Sequence, residues 1–287
     1  MEHNIVYVDS EKKVKELYEN LKKESILAID IEAENNYHHY GYYVSLIQIF
    51  GNDTAYIVDA LKLKPDDLTP VFELLVNPEI EKVFHDVSFD FRILNYQYKV
   101  LPKNVFDTKI AAELLNEKKV GLKSLLDKYF NVVKKKKFQK ADWSKRPLTK
   151  EQIEYAAGDV IYLIELRNIL KKQLIEKKLW ATAEKKFKQL EEKEYNLKLQ
   201  TYLDVKGAKH LTEKEMLLFK DLFSLRDSLA RRVNRPPFYI ISNKKLIELA
   251  KSPVLKLSEW ESMRGVHPIV RINAKRFYFS VKKHKNK

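Results

Sequence analysis

Hydrophobic and polar positions in the first 100 residues follow a pattern typical of β-strands separated by short helices. Residues 25–33 are a nearly continuous, β-branched apolar run, which predicts a central strand covered on both faces. Two further apolar runs flank Gly51-Asn52-Asp53 and predict a hairpin. The remaining strand-like runs, the hairpin included, occupy residues 4–8, 44–50, 54–60 and 82–85.

Helical periodicity fills the intervals between these runs. Ser10 predicts the N-terminal cap of a helix that reaches about Lys23, and Ser88 predicts the cap of a helix over 88–98. Thr149 with Gln152 forms a capping box at the start of a long helix from Lys150 to about Leu179. Other helices are predicted over residues 66–76, 105–116 and 121–130.

The pattern changes near Leu211, where strand-like runs cease and only amphipathic helical segments follow. A helix over 212–233 is stopped by Pro236-Pro237, and short capped helices come after it. We therefore predict an α/β domain over 1–196, a linker over 197–210 and a small all-helical domain over 211–287.

The charged residues are also distributed unevenly between the two predicted domains. The net charge is +14, but residues 211–287 hold eighteen Lys or Arg against seven Asp or Glu, which leaves only +3 for the first 210. A basic segment of this kind attracts phosphate backbones. A merely solvated basic surface or attraction to anionic lipid are the alternatives.

The composition also limits the classes of protein. No run of eighteen apolar residues exists, so no membrane span is expected, and the first residues lack the apolar core of a secretory signal. The chain contains no cysteine, so any metal ion must bind carboxylate, histidine or carbonyl ligands. We expect a soluble, cytoplasmic protein.

Acidic side chains occur where apolar residues would be expected. Asp30 and Glu32 stand two apart in the central strand and so project from one face, where a divalent cation would relieve their repulsion. The alternative is a strand end that frays into solvent. Asp90 lies in the first turn of a helix, where the helix dipole alone is a sufficient reason for an acid. Asp159 shares a helix face with Tyr155 one turn earlier.

Four acids spread over a strand, a helix start and a later helix match the needs of two metal ions. Asp86 is a competing candidate beside Asp90. Four segments of the chain read, in order, AIDIEAE, KVFHDVSFDFRIL, FDT and ADWSKRPLTKEQIEYAAGDVIYL. They resemble the exonuclease motifs of the DEDD superfamily in its tyrosine-containing branch, and most of all the ribonuclease D family. The region from Leu211 resembles the HRDC helical domain that follows the nuclease in that family.

The resemblance implies an RNase H-like exonuclease domain with a mixed central sheet flanked by helices, followed by the HRDC-like domain. It assigns two divalent cations, Mg²⁺ or Mn²⁺, to Asp30, Glu32, Asp90 and Asp159, and orientation of the attacking water to Tyr155. Asp107 matches a structural position.

The implied activity is a metal-dependent 3′-5′ exoribonuclease that releases nucleoside 5′-monophosphates from single-stranded 3′ ends of RNA, in tRNA 3′ maturation and stable-RNA processing. We expect a monomer that uses the HRDC-like domain for affinity. A 3′-5′ DNA exonuclease and a catalytically inactive RNA-binding module are the alternatives.

Contacts to nucleic acid are predicted on weaker grounds. Aromatic side chains that could stack on bases are Tyr37, Phe89 and Trp143, with ordinary packing as the alternative. His38, His39 and Tyr40 follow the first motif and are candidates for the terminal ribose or phosphate, or for a solvated loop. Basic candidates for the RNA backbone are Lys136 and Lys137 within the run 134–137, and Arg146, which alternatively fixes its loop.

Overall fold

The structure is a computed structural model that describes residues 4–133 and 138–285. Lys136 and Lys137 lie outside the described residues. The chain divides into two compact units, one within Met1–Ala33 and Tyr43–Leu197 and the other within Glu34–Tyr42 and Lys198–Lys287. The short segment Glu34–Tyr42, which the sequence placed in the first domain, therefore groups with the helical unit.

The first unit is built on a mixed sheet that contains six strands in the described part of the chain. The strands are β1 (Asn4–Val8), β2 (Ile26–Asn35), β3 (Tyr42–Gly51), β4 (Thr54–Asp59), β5 (Glu81–Phe84) and β6 (Val105–Asp107). Their order across the sheet is β1-β4-β3-β2-β5-β6. β2 is therefore an interior strand, as its apolar run predicts, and Leu27, Ala28 and Ile29 are fully buried.

The predicted hairpin joins β3 to β4, which are antiparallel with Gly51 opposite Thr54. The two loop residues, Asn52 and Asp53, have φ angles of 47° and 53°. Positive φ at both central positions suits the twist of a tight hairpin, and Asn and Asp tolerate it well. β1 pairs parallel with β4, and β5 pairs parallel with β2 and β6.

Helices flank the sheet. In the first unit they are α1 (Glu11–Leu21), α2 (Thr69–Val76), α3 (Ser88–Tyr98), α4 (Thr108–Leu114), α5 (Leu122–Phe130), α6 (Lys150–Val160), α7 (Leu163–Glu176) and α8 (Trp180–Glu192). The Thr149–Gln152 capping box is present at the start of α6, with both of its hydrogen bonds formed.

Three local predictions differ from the structure. The predicted long helix is two helices, α6 and α7, because a turn at Ile161 and Tyr162 interrupts the regular helix; Tyr162 has φ −95° and ψ −5°. Residues 105–107 form β6 rather than the start of a helix, because they pair with β5, a partner that local periodicity does not reveal. The cap residue of α3 is Val87 rather than Ser88.

The second unit is helical apart from its short leading segment. Its helices are α9 (Glu213–Arg232), α10 (Pro237–Ile240), α11 (Asn243–Lys251), α12 (Leu257–Glu261), α13 (Pro268–Ile272) and α14 (Ala274–Lys285). Trp260 and Phe277 stack in the core with ring centroids 4.9 Å apart, and the Trp260 indole donates a hydrogen bond to the Val254 carbonyl. Burial of both rings supplies much of this small unit's stability.

The predicted fold class is confirmed: a mixed sheet with flanking helices is followed by a small helical unit. Among the described residues, no helix has the length and apolar content that crossing a bilayer requires.

Candidate active site

The first two acids lie on the interior strand of the sheet. Asp30 and Glu32 are half-buried on β2, whereas their neighbours Ile29 and Ile31 are buried. Because side chains alternate across a strand, the two carboxylates project from one face while the isoleucines fill the other. The strand therefore holds two acids next to each other without exposing its apolar face.

The second pair of functional candidates lies on α6, which begins at the capping box. Tyr155 and Asp159 are half-buried, and Ala156, Ala157 and Val160 are buried between and beyond them. One turn of helix places the hydroxyl and the carboxylate on the same face. The small alanine side chains allow the helix to pack closely while that polar face remains partly open.

Tertiary structure brings the strand and the helix together. Asp30, Glu32 and Asp159 each offer a carboxylate oxygen, and these three oxygens lie within 4.8 Å of one another. Residues 127 or more positions apart in the sequence thus form one acidic cluster, which we call the acidic site. Hard oxygen ligands at this separation are what Mg²⁺ or Mn²⁺ prefers.

Asp90 lies in the first turn of α3, where it is 7% exposed. Burial is the largest influence on its carboxyl group, and the negative charges of Asp30, Asp107 and Asp86 follow, so its pKa is raised well above the ordinary range. Each of these influences disfavours the ionised form. The electrostatic coupling to Asp30 links α3 to the acidic site.

The Asp107 carboxylate holds the first turn of α3 through hydrogen bonds. Its two carboxylate oxygens accept hydrogen bonds from the backbone N–H groups of Asp86 and Val87 at 3.2 and 3.0 Å, and from Lys109 and Ile110 at 2.8 and 3.2 Å. One side chain therefore caps α4 and fixes the turn that enters α3. Asp86, the competing candidate, is exposed and pairs with Lys109.

Tyr155 faces both acids of β2. Burial raises the pKa of its hydroxyl, and the charges of Glu32 and Asp30 raise it further. Its ring lies near two other aromatic rings, with centroid distances of 5.5 Å to Phe138 and 6.0 Å to Trp143. Aromatic packing on this scale restricts the rotation of the side chain and so fixes the direction of the hydroxyl.

The residues present fit a divalent metal centre. Three carboxylate oxygens converge, and the repulsion among them raises the free energy of the ionised site. A hard cation would remove that repulsion, and Asp30, Glu32 and Asp159 are the side chains that would hold it. Asp90 does not belong to this group of three, although the charge of Asp30 acts on it.

Arg146 occupies a buried ion pair. Its Nε and Nη2 atoms donate to the two oxygens of Asp59 at 2.6 and 2.7 Å, and Nη1 donates to the Trp143 carbonyl at 2.6 Å. Tyr7 also donates to Asp59. Burial alone would raise the pKa of Asp59, but the hydrogen bonds from Arg146 and Tyr7 outweigh it and lower the pKa. These contacts favour the interpretation that Arg146 fixes its loop; a phosphate contact stays a prediction.

The aromatic candidates for base stacking have different surroundings. Trp143 is buried and packs beside Tyr155, so its ring is enclosed by protein. Phe89 is partly exposed and Tyr37 is half exposed, so each of these rings has surface available to a base. Their contact with nucleic acid stays a prediction.

The histidine and tyrosine candidates belong to the segment Glu34–Tyr42 of the second unit. Buried Glu34 accepts hydrogen bonds from the backbone N–H groups of Asn35, Tyr37 and His38, which gives the segment a fixed shape. The Tyr40 hydroxyl donates to Asp227 of α9 at 2.9 Å. Tyr40 therefore has a packing role within this unit, and its predicted contact with RNA is untested.

Comparison with known proteins identifies the class. A family model described as 3′-5′ exonuclease matches residues 5–175, and the HRDC domain model matches residues 215–273. The chain belongs to the 3′-5′ exonuclease family, and its resemblance to ribonuclease D is confirmed.

Among curated relatives, ribonuclease D of Haemophilus influenzae is 31% identical over 81% of this chain and 59% of its own length. The exosome complex exonuclease RRP6 of Saccharomyces cerevisiae is 28% identical over 94% of this chain and 39% of its own length. The chain thus spans less than two thirds of these relatives. The crystal structure of the catalytic core of RRP6 from Trypanosoma brucei matches with a TM-score of 0.87 at 25% identity, over 99% of this chain and 80% of that one.

Proposed function

We propose that this protein is a divalent-metal-dependent 3′-5′ exoribonuclease that removes nucleoside 5′-monophosphates one at a time. The observation that carries the proposal is the convergence of Asp30, Glu32 and Asp159, with carboxylate oxygens within 4.8 Å of one another. The coupling of Asp90 to Asp30, and the position of Tyr155 beside both strand acids, support it.

The reaction is hydrolysis of the last phosphodiester. A water oxygen forms a bond to the phosphorus of the terminal nucleotide, and the bond from that phosphorus to the 3′-oxygen of the preceding nucleotide breaks. The leaving oxygen gains a proton, so the products are a nucleoside 5′-monophosphate and an RNA one nucleotide shorter. Divalent cations, when bound, supply a lower pKa for water and stabilise charge on the leaving oxygen.

The side chains of the protein position the cations and the attacking water. The carboxylates of Asp30, Glu32, Asp90 and Asp159 would hold the cations, and the Tyr155 hydroxyl would orient the attacking water in line with the leaving oxygen. Trp143 and Phe138 limit the motion of the Tyr155 ring. Only an unpaired 3′ end threads into a site of this kind, so single-stranded RNA is the expected substrate.

RNA is favoured over DNA because the relatives at 31% and 28% identity are a ribonuclease and an exosome exonuclease. A catalytically inactive RNA-binding module is disfavoured because all four acids and Tyr155 are retained. Maturation of tRNA 3′ ends, a monomeric state and a cytoplasmic location belong to the same proposal, and their support is the resemblance to ribonuclease D.

The test compares the unsubstituted protein with Asp159→Asn on a single-stranded RNA bearing a 5′ label, with Mn²⁺, with Mg²⁺ and with a chelator. We expect a ladder of products shortened by one nucleotide that requires the cation. Asp159→Asn removes charge from the acidic site, and we expect about 10²–10³-fold slower trimming, as for loss of one preorganised electrostatic contact.

Glu154→Gln is the matched control, since Glu154 is an exposed acid on the same helix, one residue before Tyr155. It should leave trimming unchanged. A DNA strand of the same sequence, run in parallel, separates the two nuclease alternatives. Full activity of Asp159→Asn, or trimming without any divalent ion, would contradict the proposed metal-dependent mechanism.

A further inference from the structure

The last helix of the chain has two unlike faces. Ala274, Phe277, Val281 and His284 are buried at successive spacings of three, four and three, so this side of α14 packs into the core of the helical unit. Of the residues between them, Tyr278 is half-buried against the same core, whereas Lys275, Arg276, Phe279, Lys282 and Lys283 are exposed. The opposite face of α14 is therefore presented to solvent.

That outer face has an aromatic centre. Phe279 is 60% exposed, although burial of a phenylalanine normally stabilises a protein. At positions three and four residues before and after it stand Arg276, Lys275, Lys282 and Lys283, all exposed. Residues at these spacings are neighbours on a helix surface, so four cations surround one exposed ring. We call these five residues the α14 patch.

Charge around the patch has one sign. After Glu261 the chain contains no Asp or Glu, whereas it contains eight Lys or Arg. Lys283 lies 3.1 Å from Asp221 of α9, while side chains of the other three cations have no ion pair within 4.0 Å in the described part of the chain. The positive potential of the patch is thus only partly offset by neighbouring acids.

We infer that the α14 patch is a binding surface for single-stranded RNA, which holds a stretch of the substrate other than its 3′ end. Cations spaced along a helix suit successive phosphates, and an exposed ring between them suits stacking of a base. The inference rests on the proposed function, since it assigns a second contact to the same RNA substrate.

RNA fits the patch better than a lipid surface or a protein partner. A membrane-bound helix needs a broad apolar face, whereas here one exposed ring, with the half-buried Tyr278 ring 5.4 Å from it, stands among four cations. A protein interface usually has a larger apolar centre with fewer lysines. Proteins that bind single-stranded nucleic acid combine cations for the phosphates with aromatic rings for the bases, as this patch does.

The test measures binding of the full chain to a labelled oligouridine in a chelator, which prevents trimming, by fluorescence anisotropy over a range of salt concentrations. Lys275→Ala with Arg276→Ala should weaken binding and lower the slope of log K against log salt by about 0.7 for each lost phosphate contact. Phe279→Leu should weaken binding about fivefold or more, whereas Phe279→Trp should restore it. All substituted positions are exposed, and circular dichroism checks that the fold is retained.

The matched control is Lys206→Ala with Lys209→Ala, which removes the same charge from exposed positions of the same unit outside α14. An equal loss of affinity in this control would overturn the inference, because total charge rather than the patch would then bind RNA. Unchanged affinity in the α14 variants would also overturn it. So would a loss confined to binding of phosphatidylserine vesicles, measured by sedimentation.

Trimming by the unsubstituted protein is measured in the same series with Mn²⁺. Absence of trimming would contradict the proposed function, whereas trimming together with α14 variants that bind RNA normally would contradict only the inference about the patch. The two failures are therefore distinguishable.

Discussion

The two units of this protein handle charge in opposite ways. The α/β unit gathers acids and a few cations in its interior, where Asp90, Asp59 and Lys82 are all buried. In the helical unit Arg226 is buried, where it donates to the Ile241 carbonyl and the Asn243 side chain. The other lysines and arginines of this unit whose burial the structure describes lie at the surface, as the outer face of α14 illustrates. The first arrangement creates strong, short-range electrostatics at one place, whereas the second creates a weak field over a wide area.

This difference teaches where substitutions will have large effects. A buried charge has lost its hydration, so its free energy depends on a few partners. Removal of one partner leaves the other charge buried and uncompensated. An exposed charge keeps its hydration, so each one contributes little and the contributions add. Substitution of a buried charge in the α/β unit should therefore cost more stability than substitution of an exposed charge in the helical unit.

Arg146→Ala should cause the largest loss of stability. It would remove the two hydrogen bonds that Arg146 donates to the fully buried Asp59 carboxylate, and would leave only those from the Tyr7 hydroxyl and the Leu61 N–H group. Breaking a buried pair costs about 3–5 kcal/mol. Urea unfolding measures the loss, and Arg146→Lys, which keeps the charge but not the paired geometry, should fall between. A loss below about 1 kcal/mol would show that burial does not amplify this pair.

The same ion pair should give a pH dependence at the acid end. The pKa of Asp59 is lower in the folded protein than its ordinary value, because hydrogen bonds from Arg146 and Tyr7 outweigh the effect of burial. Its contribution to the free energy of unfolding is therefore complete above about pH 4 and declines as the pH falls through the folded-state pKa. In Arg146→Ala this decline should be smaller.

Lys82→Met should reveal a buried cation through its pH dependence. Lys82 is fully buried on β5, where its Nζ donates to the carbonyls of Ile80 and Asn77. Burial lowers its pKa from 10.5 to about 8, although Glu191 and Glu81 partly oppose the shift. Between these two pH values the unfolded chain binds more protons, so the unfolding free energy of the unsubstituted protein should rise with pH.

Measured against Lys82→Met, which has no titrating group at this position, the rise should be on the order of 3 kcal/mol between pH 7.5 and 10.5. Taking the difference cancels the titration of other lysines and tyrosines. Parallel pH curves for the two proteins would mean that the Lys82 ammonium is as well solvated inside the sheet as in water.

Asp107→Ala should weaken both the fold and, on the proposed function, trimming. It would remove a carboxylate that accepts four backbone hydrogen bonds, two at the entry to α3 and two at the start of α4. We expect a loss of about 2 kcal/mol in unfolding free energy, with a smaller loss for Asp107→Asn, which keeps one acceptor oxygen. Because this turn carries Asp90, trimming should require more Mn²⁺ for half-maximal rate, and normal Mn²⁺ dependence would contradict a positioning role.

Lys283→Ala should have the smallest effect on stability. The Lys283–Asp221 pair joins α14 to α9 but is largely exposed, with 61% of the lysine side chain accessible. Exposed pairs contribute about 0–1 kcal/mol, so the midpoint of urea unfolding should barely move. A loss that matched the Arg146 variant would break the contrast between the two units.

Much of the architecture follows from local sequence. The apolar run at 25–33 predicted an interior strand, the positions of Asn52 and Asp53 predicted the hairpin, and Thr149 with Gln152 predicted the start of α6. Each of these depends on residues within a few positions of one another, so the chain itself carries the information. The strand at residues 105–107 could not be predicted in this way, because it exists only through pairing with β5.

In the acidic site, what local spacing predicts can be told apart from what long-range packing decides. Spacing alone places Asp30 beside Glu32, and Tyr155 one turn from Asp159. No spacing rule brings the strand pair to the helix pair, because packing of α6 against the sheet decides that distance. The motif resemblance pointed to the same residues, although it gives no physical account of their convergence.

Neighbours along the chain were enough to predict most of the strands and helices, the face of β2 that carries acids, and the region where basic residues concentrate. Long-range packing set the pairing of Arg146 with buried Asp59, the enclosure of Trp143 beside Tyr155, and the approach of Asp159 to the Asp30–Glu32 pair. These outcomes depend on burial and on contacts between residues far apart in sequence, which set the energy of a charge but leave no local pattern.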